Sequence, residues 1–170
     1  MNKNYALVTG STAGIGLDIA KELAEKGHNI ILTARRVERL KDISTQFTED
    51  YKIHCDYVVA DLSEITAPET IFKFCVDRNY PIDILVNNAG YSINKKFHET
   101  AEDEEENFLR VLGISVIALT KKFIPGMLDR KYGKIMIVSS LASFAPPSSG
   151  WGALYGPVKT LLIDLETQLT

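Results

Sequence analysis

The 170-residue sequence is poor in the side chains that hold metals and covalent staples, with two cysteines and three histidines. Cys55 and Cys75 lie far apart, and neither has a second cysteine or a histidine at zinc-ligand spacing. His54 adjoins Cys55, but neighbours on a strand point to opposite faces, and His28 and His98 are isolated. A disulfide scaffold and a metal centre are therefore excluded, and both cysteines are expected to be reduced. A large excess of one charge is also missing. The net charge of −3 gives no electrostatic footprint for nucleic acid or an anionic membrane. No uninterrupted apolar run approaches bilayer length. Met1-Asn2-Lys3-Asn4 runs into a strand without a signal-peptide pattern, so a cytoplasmic setting is expected. Internal repeats and low-complexity segments are absent as well.

What the chain carries is a globular balance, 45% apolar and 24% charged, at a length that suits one domain with its own core. Compact apolar runs at 5–8, 29–34, 53–60, 82–86 and 134–138 read as five strands. Between them lie helical stripes. Ile15, Ile19, Ala20, Leu23 and Ala24 form the first, stopped at Gly27. Val37, Leu40, Ile43 and Phe47 form the second. Pro68 opens the third, with Ile71, Phe72 and Cys75 inward. Phe108, Val111, Leu112, Leu119 and Phe123 mark a long fourth helix. The acidic run Glu102-Asp103-Glu104-Glu105-Glu106 suits that helix's N-terminal dipole, and Pro125 is placed to kink or end it. A last helix begins at Tyr155. This alternation is that of an α/β, doubly wound parallel sheet.

Ligands of such sheets gather at the carboxyl ends of the strands, and every strand here ends in something polar or glycine-rich. After the first comes Thr9-Gly10-Ser11-Thr12-Ala13-Gly14-Ile15-Gly16. Gly10 allows a tight turn, Gly14 a close approach of backbone to ligand, and Gly16 a helix packed close on the sheet. The helix N-terminus that follows favours a phosphate or pyrophosphate. After the second strand stand Ala34, Arg35 and Arg36, where an NAD site would usually offer a carboxylate. Guanidinium forks match a 2′-phosphate in charge and geometry, so NADP is expected over NAD. Asp61-Leu62 close the third strand, Asn87-Asn88-Ala89-Gly90 the fourth, and Ser139-Ser140 the fifth.

Tyr155-Gly156-Pro157-Val158-Lys159 completes the set. Residues four apart share a helix face, and Pro157 is tolerable in a first turn. A tyrosine near pKa 10 is a poor acid–base group at neutral pH, and each unit of depression needs about 1.4 kcal/mol. A neighbouring ammonium favours the phenolate and can supply that shift.

With these residues in this order, the sequence resembles the short-chain dehydrogenase/reductase family over essentially its whole length. The resemblance rests on TGSTAGIG at 9–16, Asp61-Leu62, NNAG at 87–90, the serine pair and YGPVK at 155–159. It implies a Rossmann sheet of order 3-2-1-4-5 and hydride transfer between nicotinamide and a carbonyl or alcohol. By the same resemblance Tyr155 is the proton donor or acceptor, and Lys159 binds the nicotinamide ribose. Ser140 holds the substrate oxygen and Asp61 meets the adenine. Leu62 and Asn88, Ala89 and Gly90 complete the cofactor site begun by Gly10, Ser11, Thr12, Gly14, Ile15 and Gly16.

Three departures from the family's pattern stand out. The family's helix asparagine, which organises a water-linked proton relay, falls at Leu112, with Ser115 as a substitute group. The usual serine lies thirteen residues before the tyrosine, which here is Ala142. Ser140 is fifteen before it, across a loop containing Pro146, Pro147, Ser148, Ser149 and Gly150. Strand alternation would turn Ser139 to the other face, and Ser143 is the fallback. Thirdly, the sequence ends at Thr170, inside the expected last helix, ahead of the family's final strands and substrate loop. A nucleotide-binding protein without turnover is therefore the rival expectation. Phe144, Trp151 and Leu154 are candidates for an apolar pocket wall or for loop packing. Homo-oligomers would form through the helix after Glu106 and the C-terminal helix.

Overall fold

The computed structural model describes residues 5–145 and 152–169. The expected loop at 146–150 and Trp151 fall outside them. Five parallel strands form one sheet: β1 (Tyr5–Thr9), β2 (Asn29–Ala34), β3 (Cys55–Val59), β4 (Ile82–Asn87) and β5 (Lys134–Ile137). Their order is β3-β2-β1-β4-β5, as the resemblance implies. The helices are α1 (Gly14–Glu25), α2 (Val37–Tyr51), α3 (Ala67–Asp77), α4 (Glu102–Leu109), α5 (Ser115–Asp129) and α6 (Tyr155–Thr167).

Period-two alternation sends successive strand residues into two separate cores. Ala6, Val8, Ile30, Leu32 and Val86 pack against Ala20 and Ala24 of α1 and Leu40, Ile43 and Phe47 of α2. Leu7, Ile31, Val58 and Leu85 pack on the opposite face against Ile71 and Cys75 of α3 and Leu119, Phe123 and Met127 of α5. Both cysteines are free and buried, and burial raises each thiol to about 12. Val37, the one expected stripe residue on the first turn of α2, is exposed instead. It precedes the turns that reach the sheet.

The long fourth helix is one unbroken helical span, 102–129, but not of one type. A π turn, Arg110–Ile114, joins α4 to α5, and Pro125 lies inside α5 rather than ending it. No uninterrupted apolar run reaches bilayer length, since Arg110, Ser115, Thr120, Lys121 and Lys122 break the stretch after Glu106. Among the described residues one helix, 102–129, is long and apolar enough to cross a membrane by length and composition alone. Its apolar residues Leu119, Phe123 and Met127 are nevertheless part of the sheet's core. At its end Arg130 donates through Nε to buried Asp83 at 2.8 Å and through Nη2 to the Ile82 carbonyl at 2.7 Å. That pair ties the helix to the start of β4.

Candidate nucleotide and catalytic site

The glycine turn is held from beneath by one hydroxyl. Thr9 Oγ1 donates to the Val86 carbonyl at 3.2 Å and accepts from the backbone N–H of Asn88 at 2.9 Å and of Ala89 at 3.0 Å. Asn88 Nδ2 in turn donates to the carbonyls of Thr9, at 2.9 Å, and Gly10, at 3.4 Å. A Cβ on Gly16 would collide with that same amide and with the Gly10 carbonyl. Gly16 is thus required by the contact between α1 and the turn itself, a closer partner than the sheet expected from sequence. Gly14 is different: it has φ +53° and no heavy atom within 4 Å of a Cβ position. That open side, next to the first N–H groups of α1, is what a pyrophosphate needs. The residues present fit a dinucleotide.

A cleft of about 550 Å³ opens over the strand ends. Gly10, Thr12, Arg35, Arg36, Asp61, Leu62, Ala89 and Gly90 line it, so eight of the expected cofactor residues converge on one space. Arg36 Nη2 donates to Thr12 Oγ1 at 2.9 Å, and Arg35 Nη1 lies 3.7 Å from Asp61 Oδ2. Burial pushes the Asp61 carboxyl up, but the Ser63 N–H, the Ser63 hydroxyl and the Arg35 guanidinium outweigh it and leave the group below its ordinary value. Other expected residues sit outside the lining. Ser11 is buried with its hydroxyl 3.4 Å from the Thr33 carbonyl, Ile15 is exposed on the first turn of α1, and Asn88 braces the turn from behind.

Sequence reasoning missed part of the wall. Thr33, Ser63, Tyr91, Ile93, Glu104, Asn107 and Val111 also line the cleft. Glu104, Asn107 and Val111 share one face of the helix by their spacing. This was the only signal available, and it required knowing which face met the cleft. Thr9 was missed too, although its place directly before Gly10 marks it.

On the other side of β4 stands the Tyr155–Lys159 pair, at the start of α6 as its spacing predicts. Lys159 is buried, and its ammonium donates to the Val138 carbonyl at 2.7 Å. Desolvation holds its pKa below the ordinary 10.5. The ammonium lies 5.9 Å from the centre of the Tyr155 ring, and the Phe108 ring lies 6.3 Å from it between centroids. Ser140 accepts from the Ala142 N–H at 3.2 Å and caps the 3₁₀ turn Leu141–Ser143. Ser139 is not turned away from α6. Its hydroxyl donates to the Lys159 carbonyl at 3.1 Å and lies 3.1 Å from the Ser143 hydroxyl. Both serines lie beyond β5, which ends at Ile137, so strand alternation does not govern where they point. Leu112 is fully buried with Phe108 and Val158. Ser115, the substitute relay group, donates its hydroxyl to the Val111 carbonyl at 2.8 Å.

A glycine turn feeding a helix N-terminus, at the strand ends of a 3-2-1-4-5 parallel sheet, defines a dinucleotide-binding α/β domain. The chain belongs to the short-chain dehydrogenase/reductase family: the model for short chain dehydrogenases matches residues 4–169. Hydroxysteroid dehydrogenase-like protein 1 of Gallus gallus is 39% identical over 145 residues, covering 84% of this chain and 43% of that protein. Its Homo sapiens counterpart, named as inactive, is 36% identical over 80% of this chain and 42% of its own length. An NADP-dependent 3-hydroxy acid dehydrogenase of Shigella flexneri is 30% identical over 96% of this chain and 65% of its own. Among solved structures, L-sorbose reductase of Gluconobacter frateurii, complexed with NADPH and L-sorbose, superposes with a TM-score of 0.91 at 28% identity. That match covers 98% of this chain and 62% of the reductase. The chain thus spans about two fifths to two thirds of the length of these relatives.

Proposed function

We propose that this chain forms the cofactor-binding and catalytic core of an NADP-dependent oxidoreductase acting on a carbonyl or alcohol. The observation that carries the reading is the pair Arg35 and Arg36 lining the cleft beside Gly10 and Asp61, where NAD recognition would want a carboxylate. NADP, when bound, supplies the hydride donor or acceptor. The glycine turn and the α1 N-terminus hold the pyrophosphate, Asp61 and Leu62 the adenine side, and the arginines the 2′-phosphate. Tyr155 gives a proton to the carbonyl oxygen, or takes one from the alcohol, and Ser140 holds that oxygen. Lys159 has three N–H donors. One goes to Val138, and another serves the nicotinamide ribose. A small-molecule partner and a cytoplasmic setting go with this reading, as does self-association through the outer sides of α5 and α6, where Leu128 and Leu161 are exposed.

NADPH consumption with a panel of aldehydes and ketones tests turnover. Tyr155→Phe should abolish it, and activity surviving that change would remove the mechanism. Calorimetric titration with NADPH and NADH tests the cofactor, with tighter NADH binding counting against NADP. A second reading, nucleotide binding without turnover, is favoured by one observation: Leu112 fills with hydrocarbon the place where the family resemblance wants an amide. NADPH binding with no consumption across the panel supports it, and Tyr155-dependent consumption overturns it.

A further inference from the structure

Arg35 and Arg36 are adjacent in sequence but are held by different parts of the fold. Arg35 is paired with Asp61, beyond β3, at 3.7 Å, and three quarters of its side chain is exposed. Arg36 is hydrogen-bonded to Thr12, inside the glycine turn, at 2.9 Å. Thr12 is itself buried, with 7% exposure. It lies between two residues of left-handed backbone, Gly10 at φ +66° and Gly14 at φ +53°, so its Oγ1 is placed by the same turn that faces the pyrophosphate. An exposed arginine has many rotamers, and a phosphate that recruits one must first order it. A guanidinium already tied to a fixed acceptor presents its remaining donors with less of that ordering left to do.

We propose that Thr12 is a positioning residue for cofactor choice: it orients Arg36 toward the adenosine 2′-phosphate and so contributes to the preference for NADP over NAD through that arginine. The Thr12 hydroxyl accepts from the guanidinium, a role that serine can fill and valine cannot. The ribose of NAD carries no 2′-phosphate, so its binding gains nothing from where Arg36 points. Thr12 therefore acts on the ratio of the two affinities rather than on binding in general. This rests on the NADP reading above, and the test separates the two.

The measurement is the ratio of dissociation constants for NADH and NADPH, by calorimetry, in Thr12→Val, Thr12→Ser, Arg36→Ala, the Thr12→Val/Arg36→Ala pair and the Arg35→Ala/Arg36→Ala pair. Thr12→Val should weaken NADPH about five- to tenfold more than it weakens NADH, the scale of one hydrogen bond. Thr12→Ser should restore the wild-type ratio, and Thr12→Val should add nothing once Arg36 is alanine. An unchanged ratio in Thr12→Val overturns the inference. So does an equal loss in the Arg36→Ala background, which would mean that Thr12 touches the ligand itself. Equal weakening of both cofactors overturns it too, as the mark of a merely structural role. Loss of preference in the double arginine variant with Thr12→Val silent sinks only the role of Thr12. An unchanged ratio in the double arginine variant sinks the NADP reading, and the Thr12 inference with it.

Discussion

The Lys159 ammonium donates a 2.7 Å hydrogen bond to the carbonyl of Val138, just past the end of β5. It is a buried cation, and desolvation lowers its pKa from 10.5. Between the folded value and 10.5 the unfolded chain binds a proton that the folded chain does not. Stability therefore rises with pH through that window. Lys159→Met removes this titration. The stability difference between wild type and variant, from urea midpoints at a series of alkaline pH values, should shift in favour of wild type as pH approaches 10.5. A difference that stays flat would show that burial does not penalise the charge.

Thr9 is 1% exposed and its hydroxyl serves three backbone groups. Thr9→Val keeps the shape but leaves the N–H groups of Asn88 and Ala89 without their acceptor, at a cost of about 2 kcal/mol. Thr9→Ser should recover most of it. Chemical denaturation of the two variants measures the difference, and a Thr9→Val as stable as wild type would contradict the bracing role.

Gly16 and Gly14 should respond oppositely to alanine. At Gly16 the new methyl meets Asn88 Nδ2 and the Gly10 carbonyl, so Gly16→Ala should cost about 3 kcal/mol through overpacking. At Gly14 the methyl meets nothing within 4 Å, and the cost is the left-handed backbone alone, about 1 kcal/mol. Gly14→Ala should instead lose nucleotide affinity, since its methyl occupies the open side of the cradle. Thermal melts paired with NADPH titrations distinguish the two.

Leu112 packs against Phe108 and Val158 with no exposure, and its Cγ lies 3.5 Å from a Cβ position on Gly90. Restoring the residue that the family resemblance expects, Leu112→Asn, buries an amide in an apolar cluster and should destabilise the fold by about 3 kcal/mol. A variant of undiminished stability with faster turnover would show that the site retains room for the relay.

Much of this molecule was legible in its residues. Apolar runs and helical stripes are local signals, so all five strands and five helices could be placed from the sequence to within a few residues, whereas the π turn that divides the long fourth helix into α4 and α5 left no such signal. The 3-2-1-4-5 order came from family resemblance, because periodicity says which face is buried and not which neighbour buries it. Motif residues such as Gly10, Arg36, Asp61 and Gly90 could be named because their chemistry is carried in short words of sequence. What only the tertiary structure decided is who meets whom. It joined Thr12 to Arg36 across 24 positions and Arg35 to Asp61. It set Thr9 beneath Asn88, and it turned the hydroxyl of Ser139 toward Lys159 where the strand had already ended. Local sequence sets what each residue prefers, whereas a hydrogen bond or a collision depends on backbone brought close from far along the chain. Packing of the sheet and its helices supplies that closeness.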